Sequence, residues 1–584
     1  MKINKIFIKN FCSIKNELVC LQNPLYPLVL VGMNNVGKTN ILRALNLFFE
    51  NNSRDLIKDV FYDDCKDVEI TVDFKELNDW EKSQIGEKNL ISGHLYVRQL
   101  GLCKPPAGGK KLKYYALRKK ADGDEEGGEE FKLQNYESSG SINLFNDDFT
   151  NETDFYWFAN PSGSSNFLEG YLPRFLYVPA IDDVDDELKV QTNTLFGEII
   201  SEIVRKLEGQ NEVVGKIKEG LSELSGLQEI SELNENLTKE LKNIFNDISF
   251  KFEISSPDFF KIIQQYADTV ISDEVATSPK LKGEGVQRAV IFAIFKVYAE
   301  ILVKSDVERE RSLIFAIEEP ELFLHPQTQK VFLNALKIIA RGGEENDPAK
   351  NDQVIFTTHS PNLVEIKEYV SICLVRKQGK ETHISQVLEN IFEEDQENKE
   401  EFKLIVEFDP ERNELFFARK VMLVEGDTEK VSFRVIAEKM DSDLYKTGVS
   451  IIECGGKDKI MPFIHILNNF KIPYLVVCDQ DPVSGDEDTN MISCERCKER
   501  AKSKKESQKR KFGLNQQLQN KIDDSLGKLE IMEPDFEGLC ETEGVGSGIS
   551  KPFTAFTKFN QMTKTEIPTK LMNIVKELCQ LQND

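Results

Sequence analysis

The sequence is short of positive charge: 74 lysines and arginines stand against 99 aspartates and glutamates, giving a formal net charge of −25 over 584 residues. Such a field repels phosphate, which excludes a protein that coats nucleic acid and confines any nucleic-acid contact to a local patch. The amino-terminal stretch MKINKIFIKNFCSIKNELVCLQ has no apolar run near the roughly 18 residues a membrane span needs, and no basic-then-apolar signal. The expected location is the cytoplasm, with no membrane partner. The 11 cysteines, spread from Cys12 to Cys579, form no dense framework and read as free thiols. Cys494 and Cys497 have zinc-like spacing, but no second CxxC or nearby histidine completes a tetrahedral set. What is present is 40% hydrophobic content in a length that suits about three or four domains, each with its own core.

Residues 3–9 (INKIFIK) and 27–31 (PLVLV) carry strand patterns, and residues 39–49 carry helical spacing. Strand, glycine-bearing loop and helix in that order open a βα unit. Strand patterns return at 68–74 and 175–178; between them residues 100–165, with KPPAGGKK and ADGDEEGGEE, read as loops or a hairpin inserted into a domain. From Phe196 to Ile244 apolar residues recur at helical intervals, which fits a small intramolecular bundle and a dimerisation arm alike. Strand patterns at 313–317, 353–357 and 370–375 make the next part α/β. After the acidic linker 392–401, strands at 421–424, 449–452 and 473–477 begin another α/β domain.

Gly32-Met33-Asn34-Asn35-Val36-Gly37-Lys38-Thr39 matches GxxxxGK[ST] between the strand at 27–31 and the helix at 39–49. In such a loop the backbone amides of Gly32, Asn34, Asn35 and Gly37 cradle phosphates, Lys38 reaches the β/γ oxygens and Thr39 ligates Mg²⁺. ATP with Mg²⁺ is the expected ligand. Leu313–Ile317 ends in Glu318-Glu319. At the carboxyl end of a buried strand, Glu318 can hold the magnesium shell while Glu319 polarises the attacking water. The run continues as EEPELFLHP, and a further strand ends in Thr358-His359-Ser360-Pro361.

Together these residues resemble the ABC-type ATPases of the recombination and chromosome-structure group, with a double acid, a D-loop and the switch histidine His359. Lys282-Gly283-Glu284-Gly285-Val286-Gln287-Arg288 resembles their signature segment, which implies that Gly283, Gly285 and Gln287 contact the γ-phosphate bound by another copy, and hence that the chain forms a homodimer or a higher homo-oligomer. Glu318 stands where many relatives carry Asp, which lengthens the metal arm by one methylene.

Beyond the linker, Val421–Val424 delivers Glu425 into the turn Glu425-Gly426-Asp427-Thr428-Glu429, and Tyr474–Cys478 ends in Asp479-Gln480-Asp481. Acids at i and i+2 on extended chain share one side, as a divalent cation requires. Cys454-Gly455-Gly456-Lys457 is a second glycine-rich strand end. A strand with Glu-Gly followed by a strand with DxD resembles the Toprim domain of topoisomerases, primases and certain nucleases. No tyrosine-nucleophile domain or zinc ribbon accompanies it, which argues against topoisomerase and primase.

An ABC-type head followed by Toprim resembles the OLD (overcoming lysogenization defect) family, which includes the Gabija nuclease subunit and retron-associated OLD effectors. The resemblance implies an α/β architecture: an ATPase head over 1–185 and 251–391, a helical segment at 186–250 as a possible dimerisation arm, a linker at 392–415 and Toprim over 416–584. It implies two divalent ions, Mg²⁺ or Mn²⁺, for phosphodiester hydrolysis. Glu425, Asp479 and Asp481 would serve one ion, with Glu429 as a further ligand, and Asp535 and Glu537 the other; Lys551 would stabilise charge in the transition state. It also implies a metal-dependent DNA endonuclease governed by its ATPase in anti-phage defence, with a helicase-like protein or a reverse transcriptase and its structured RNA as a second component. The competing expectation is a repair or recombination ATPase with an inert Toprim, against which the crowding of Glu425, Asp479 and Asp481 argues.

Between Lys498 and Lys511 eight of fourteen residues are basic and two acidic. The run is read either as a solvated helix face or as a DNA-backbone contact through Lys504, Lys505, Lys509 and Arg510.

Overall fold

A run of three or more apolar residues without alternation has no polar face to give to water, so it belongs in a strand covered on both sides. The computed structural model bears this out in two sheets and describes residues 1–23, 25–50, 56–105, 111–119, 155–159, 171–180, 228–244, 312–322, 324–341, 352–389, 410–482, 495–539 and 550–580, with scattered positions between 197 and 293 and residue 391. Two compact units divide the chain, Met1–Ala180 with Glu308–Leu322 and Pro326–Asp584 in one, Ile181–Val307 with Phe323–His325 in the other. In the latter the described elements are a helix over Gln228–Ile244, which fits the last part of the helical periodicity, and a two-stranded hairpin of Ile271–Ser272 and Ala276–Thr277.

In the larger unit the first strands are β1 (Lys2–Phe11), β2 (Ile14–Cys20), β3 (Leu28–Val31), β4 (Val68–Lys75), β5 (Leu95–Gly101), β6 (Leu112–Lys119), β7 (Phe155–Ala159) and β8 (Arg174–Val178). All but β3 and β8 form an antiparallel sheet in the order β2-β1-β4-β5-β6-β7. Residues 112–119 and 155–159, expected to be loops or a hairpin, therefore extend this sheet. Both faces of β6 are covered, Leu112 and Tyr114 joining one core and Tyr115 and Leu117 another. Residues 106–110, 120–154 and 160–170 lie outside the described residues.

With β9 (Leu313–Ile317), β10 (Gln353–Thr358), β11 (Ile372–Gln378) and β12 (Glu381–Gln386), strands β3 and β8 build a second sheet in the order β12-β11-β3-β10-β9-β8. It is parallel except for the edge pair β11–β12. Helix α1 (Lys38–Glu50) turns Ile41, Leu42, Leu45 and Phe48 into a core shared with Ile6 and Ile8 of β1, Ile70 and Val72 of β4 and Leu30, Ile314 and Ile355 of the second sheet. One helix thus fills the space between two sheets, and the loop before it is fixed by both.

A four-stranded parallel sheet follows, from β13 (Lys420–Val424), β14 (Val449–Glu453), β15 (Tyr474–Asp479) and β16 (Gly527–Met532), in the order β14-β13-β15-β16. Met422, Val424, Leu475 and Val477 pack on one side with helices α2 (Asp427–Lys439), α3 (Ser550–Gln561) and α4 (Thr569–Gln580), through Phe433, Phe559 and Leu571. The chain leaves β13 for β14 on one side and returns to β15 on the other, so a crevice opens beyond the carboxyl ends of β13 and β15, where open α/β sheets place ligands. Arg376 of β11 joins this sheet to the preceding one by donating to the carbonyls of Ala418 at 3.1 Å and Lys471 at 3.3 Å.

Candidate functional site

Both candidate sites lie where parallel strands end. The loop 32–37 leaves β3 and enters α1 with Asn35 in the left-handed region (φ 63°). Gly37 has φ 107°, and a Cβ there would meet the Thr382 hydroxyl at 2.3 Å, so only glycine fits. The loop is held from outside its own motif: Thr382 donates to the Val36 carbonyl at 2.8 Å, Ser13 and Thr382 hydroxyls lie 2.7 Å apart, and Asn40 donates to Ser13 at 2.8 Å.

The Lys38 ammonium donates to the carbonyls of Gly32 (2.9 Å) and Met33 (2.8 Å) and to Nε2 of His359 at 2.8 Å. Glu319 Oε1 lies 3.5 Å from the same nitrogen. Burial, assisted by the Lys38 charge, lowers His359 to about 4, so the imidazole is neutral and accepts from the ammonium; burial lowers Lys38 to about 8. Glu319 itself is in the left-handed region (φ 42°), fixed by its N–H donating to Thr357, and such strain persists where the surroundings impose it. Glu318 is gripped by the Tyr177 hydroxyl at 2.6 Å and the Ala180 N–H at 3.2 Å. The structure thus brings together Lys38, Glu319 and His359. Gly283 is exposed, while Gly285 and Gln287 lie outside the described residues.

At the second site Glu425 follows β13, and its Oε1 accepts from the Asp479 N–H at 2.8 Å. Asp479 ends β15, and its Oδ1 accepts from the Phe536 N–H at 2.8 Å. Asp481, two residues on, is left-handed (φ 49°). Glu429 caps α2 through the Gly426 N–H at 3.1 Å and is buried beside these acids. Burial and then the neighbouring Glu425 push Asp479 up to about 7; burial pushes Glu429 up to about 8, with Asp479, Glu425 and Glu537 adding to it; Glu425 is raised, again chiefly by burial. Lys551 lies 2.7 Å from Glu537, and that bond raises its pKa. Asp535 caps the turn that follows it by accepting from the Gly538 N–H at 2.6 Å.

These are hard oxygen donors, Glu429 buried and the others half-buried, and their charges repel one another, which is the donor chemistry Mg²⁺ or Mn²⁺ takes. Among the described residues no group of three or more acids, thiols or imidazoles stands ready to hold one ion. Two cations that sequence reasoning missed lie among them. Lys457 contacts Asp481 at 2.6 Å, and Lys511 lies 3.6 Å from Asp481. The only sequence signal for Lys457 is its place after Gly455-Gly456 at a strand end. Lys509 and Arg510 are exposed on a helix over Glu495–Lys521; the side chains of Lys504 and Lys505, and those of Cys494 and Cys497, lie outside the described residues.

A phosphate loop with paired acids on one sheet and convergent carboxylates on the next define an ATPase joined to a Toprim domain. Residues 1–364 match the family described as AAA ATPase domain, and residues 416–481 match the overcoming lysogenization defect protein-like TOPRIM domain. The chain belongs to the AAA ATPase domain family and carries an OLD-like Toprim domain behind it. It is similar to the OLD nuclease of Thermus scotoductus, 26% identical over 94% of this chain and 93% of that protein. It is also similar to the Old nuclease of Escherichia phage P2 (23%; 83% and 78%) and to the endonuclease GajA of Bacillus cereus (24%; 82% and 75%). Among solved structures, an SMC head bound to the C-winged helix domain of ScpA covers 66% of this chain and 98% of its own at 11% identity and a TM-score of 0.36. The two domains imply use of ATP and of a divalent metal ion. Among the described residues no helix is long and apolar enough to cross a membrane.

Proposed function

We propose that the chain is a DNA endonuclease dependent on Mg²⁺ or Mn²⁺, gated by its ATPase head and acting in anti-phage defence. The observation that carries this reading is the grouping of the half-buried Glu425, Asp479 and Asp481 beyond the carboxyl ends of β13 and β15, where Glu425 accepts from the Asp479 N–H and burial with the Glu425 charge raises the Asp479 carboxyl. Divalent ions there would activate water and offset charge on the leaving oxygen. Glu425, Asp479 and Asp481, with Glu429 behind them, orient the first ion, and Asp535 and Glu537 the second. Lys551 faces the charge that develops on the phosphate. Lys509 and Arg510 meet the DNA backbone, together with Lys504 and Lys505. In the head, Lys38 and Thr39 hold ATP and its magnesium, Glu318 supports that magnesium, and Glu319 directs water. The signature segment of one copy serves the nucleotide of another, so the working form is a homodimer or larger. A second defence component, helicase-like or a reverse transcriptase with its RNA, fits the same reading.

The test is nicking of supercoiled plasmid with Mn²⁺ or Mg²⁺. Asp479→Ala and Glu425→Ala are expected to abolish cutting while the melting temperature shows a folded protein. Variants that still cut remove the Toprim site from the mechanism.

A further inference from the structure

Lys457 is 3% exposed, among the most deeply buried charged groups of the larger unit. Its ammonium donates to Asp481 Oδ2 at 2.6 Å and to the carbonyl oxygen of Asp479, and lies 3.7 Å from Glu425 Oε1. The placement is built by the backbone. Gly455 (φ 81°) and Gly456 (φ 128°) adopt conformations that side chains resist, and the Gly456 N–H donates to the Glu425 carbonyl at 2.8 Å. That bond folds the turn after β14 back onto the end of β13 and drives the next side chain among the acids. Lys511 approaches Asp481 from the other oxygen at 3.6 Å, but it is half exposed and screened by solvent.

The oxygens around the Lys457 ammonium belong to the residues proposed to hold a metal ion, and two cations cannot share them without strong repulsion at this burial. We infer that Lys457 is a built-in counter-cation that a divalent ion must displace from Asp481 and Glu425, so that this lysine sets the metal concentration at which the nuclease site loads. The inference rests on the nuclease reading of the cluster. It gives the lysine two opposed effects: it holds the acids together when no metal is bound, and it weakens metal binding.

The experiment titrates Mn²⁺ into the full chain by calorimetry, without nucleotide, and records melting in EDTA. Lys457→Met is expected to bind Mn²⁺ about tenfold tighter or more, because the neutral side chain no longer competes. The same variant should melt at a lower temperature than wild type in EDTA and recover on adding Mn²⁺. Lys511→Met, the screened neighbour, should change affinity by less than about threefold. Equal or weaker Mn²⁺ binding by a folded Lys457→Met protein overturns the inference.

Should Lys457→Met fail to fold, reductive methylation of the wild type read by mass spectrometry decides instead. Modification of Lys457 should rise when Mn²⁺ is added, and unchanged modification overturns the proposal. Asp479→Ala separates the two readings. If it retains Mn²⁺ binding, the metal site itself is wrong; if it loses binding while Lys457→Met behaves as wild type, only the displacement idea fails.

Discussion

Asn413 donates its side-chain amide to the carbonyl of Val364 at 2.9 Å and to that of Pro361 at 3.1 Å. Pro361 is two residues beyond His359, the partner of Lys38. The residue before Asn413, Arg412, donates to the carbonyl and the carboxylate of Glu453, both at 2.8 Å, at the end of β14, from which the turn to Lys457 departs. One dipeptide thus touches the segment after His359 and the strand leading into the carboxylate cluster.

Asn413→Ala is expected to cost about 1–2 kcal/mol in chemical denaturation, the range for losing buried hydrogen bonds. The larger effect is expected in the dependence of cutting on ATP: the variant should hydrolyse ATP and cut DNA, with the difference between plus and minus ATP much reduced. A full ATP response in the variant removes this contact from the coupling.

Tyr177 and Ala180 hold both oxygens of Glu318, which fixes an arm one methylene longer than aspartate. Tyr177→Phe removes the stronger of these bonds and should lower ATP turnover by about tenfold while leaving ATP affinity within about twofold, since a bond to a charged group contributes about 1.5–3 kcal/mol. Measuring turnover and nucleotide affinity side by side checks both.

His359 is held near 4, below its ordinary value of 6.5, by burial and the Lys38 charge. A group whose folded pKa is depressed contributes stability that is complete above the unfolded value and is lost as pH falls towards the folded one. Wild-type melting temperature should therefore drop between pH 6.5 and 4 more steeply than that of His359→Gln. Parallel curves would show that the imidazole does not titrate in this way.

Lys509 and Arg510 stand exposed on the long helix, with Arg510 3.6 Å from Asp458. If they meet DNA, Lys509→Ala with Arg510→Ala should weaken binding to all sequences alike and make the slope of log affinity against log salt shallower by about 2. An unchanged slope leaves the run as a solvated face.

The parts of the sites that lie on one local segment were legible in the sequence. Lys38 and Thr39 are named by a spaced motif, and Glu318, Glu319, Asp479 and Asp481 by acids that end apolar strands. The missing parts arrive from elsewhere in the chain: Tyr177 reaches Glu318 across 141 positions, and Thr382 reaches Val36 across 346. No periodicity records such a meeting. Lys457 is not legible because a lysine after two glycines is ordinarily a turn residue in water, and the Gly456–Glu425 backbone bond is what turns it inward. Strand β6 falls in a window that reads as loops or a hairpin because its glycine-rich, charged neighbours set the composition there.

Among the described residues strand β3 pairs with β10 and β11 alone. Gln353 emerges from the ribosome roughly 320 residues after Val31, a wait of roughly 15 to 60 seconds at ordinary synthesis rates. Throughout that time the LVLV strand has no strand beside it, and the phosphate loop behind it lacks the Thr382 hydroxyl that holds Val36. A nascent chain stalled before Gln353 therefore presents two bare strand edges, whereas β13 to β16 are complete within about 110 residues of synthesis. The nuclease half can assemble as it is made; the ATPase half must be sheltered until its last strands arrive.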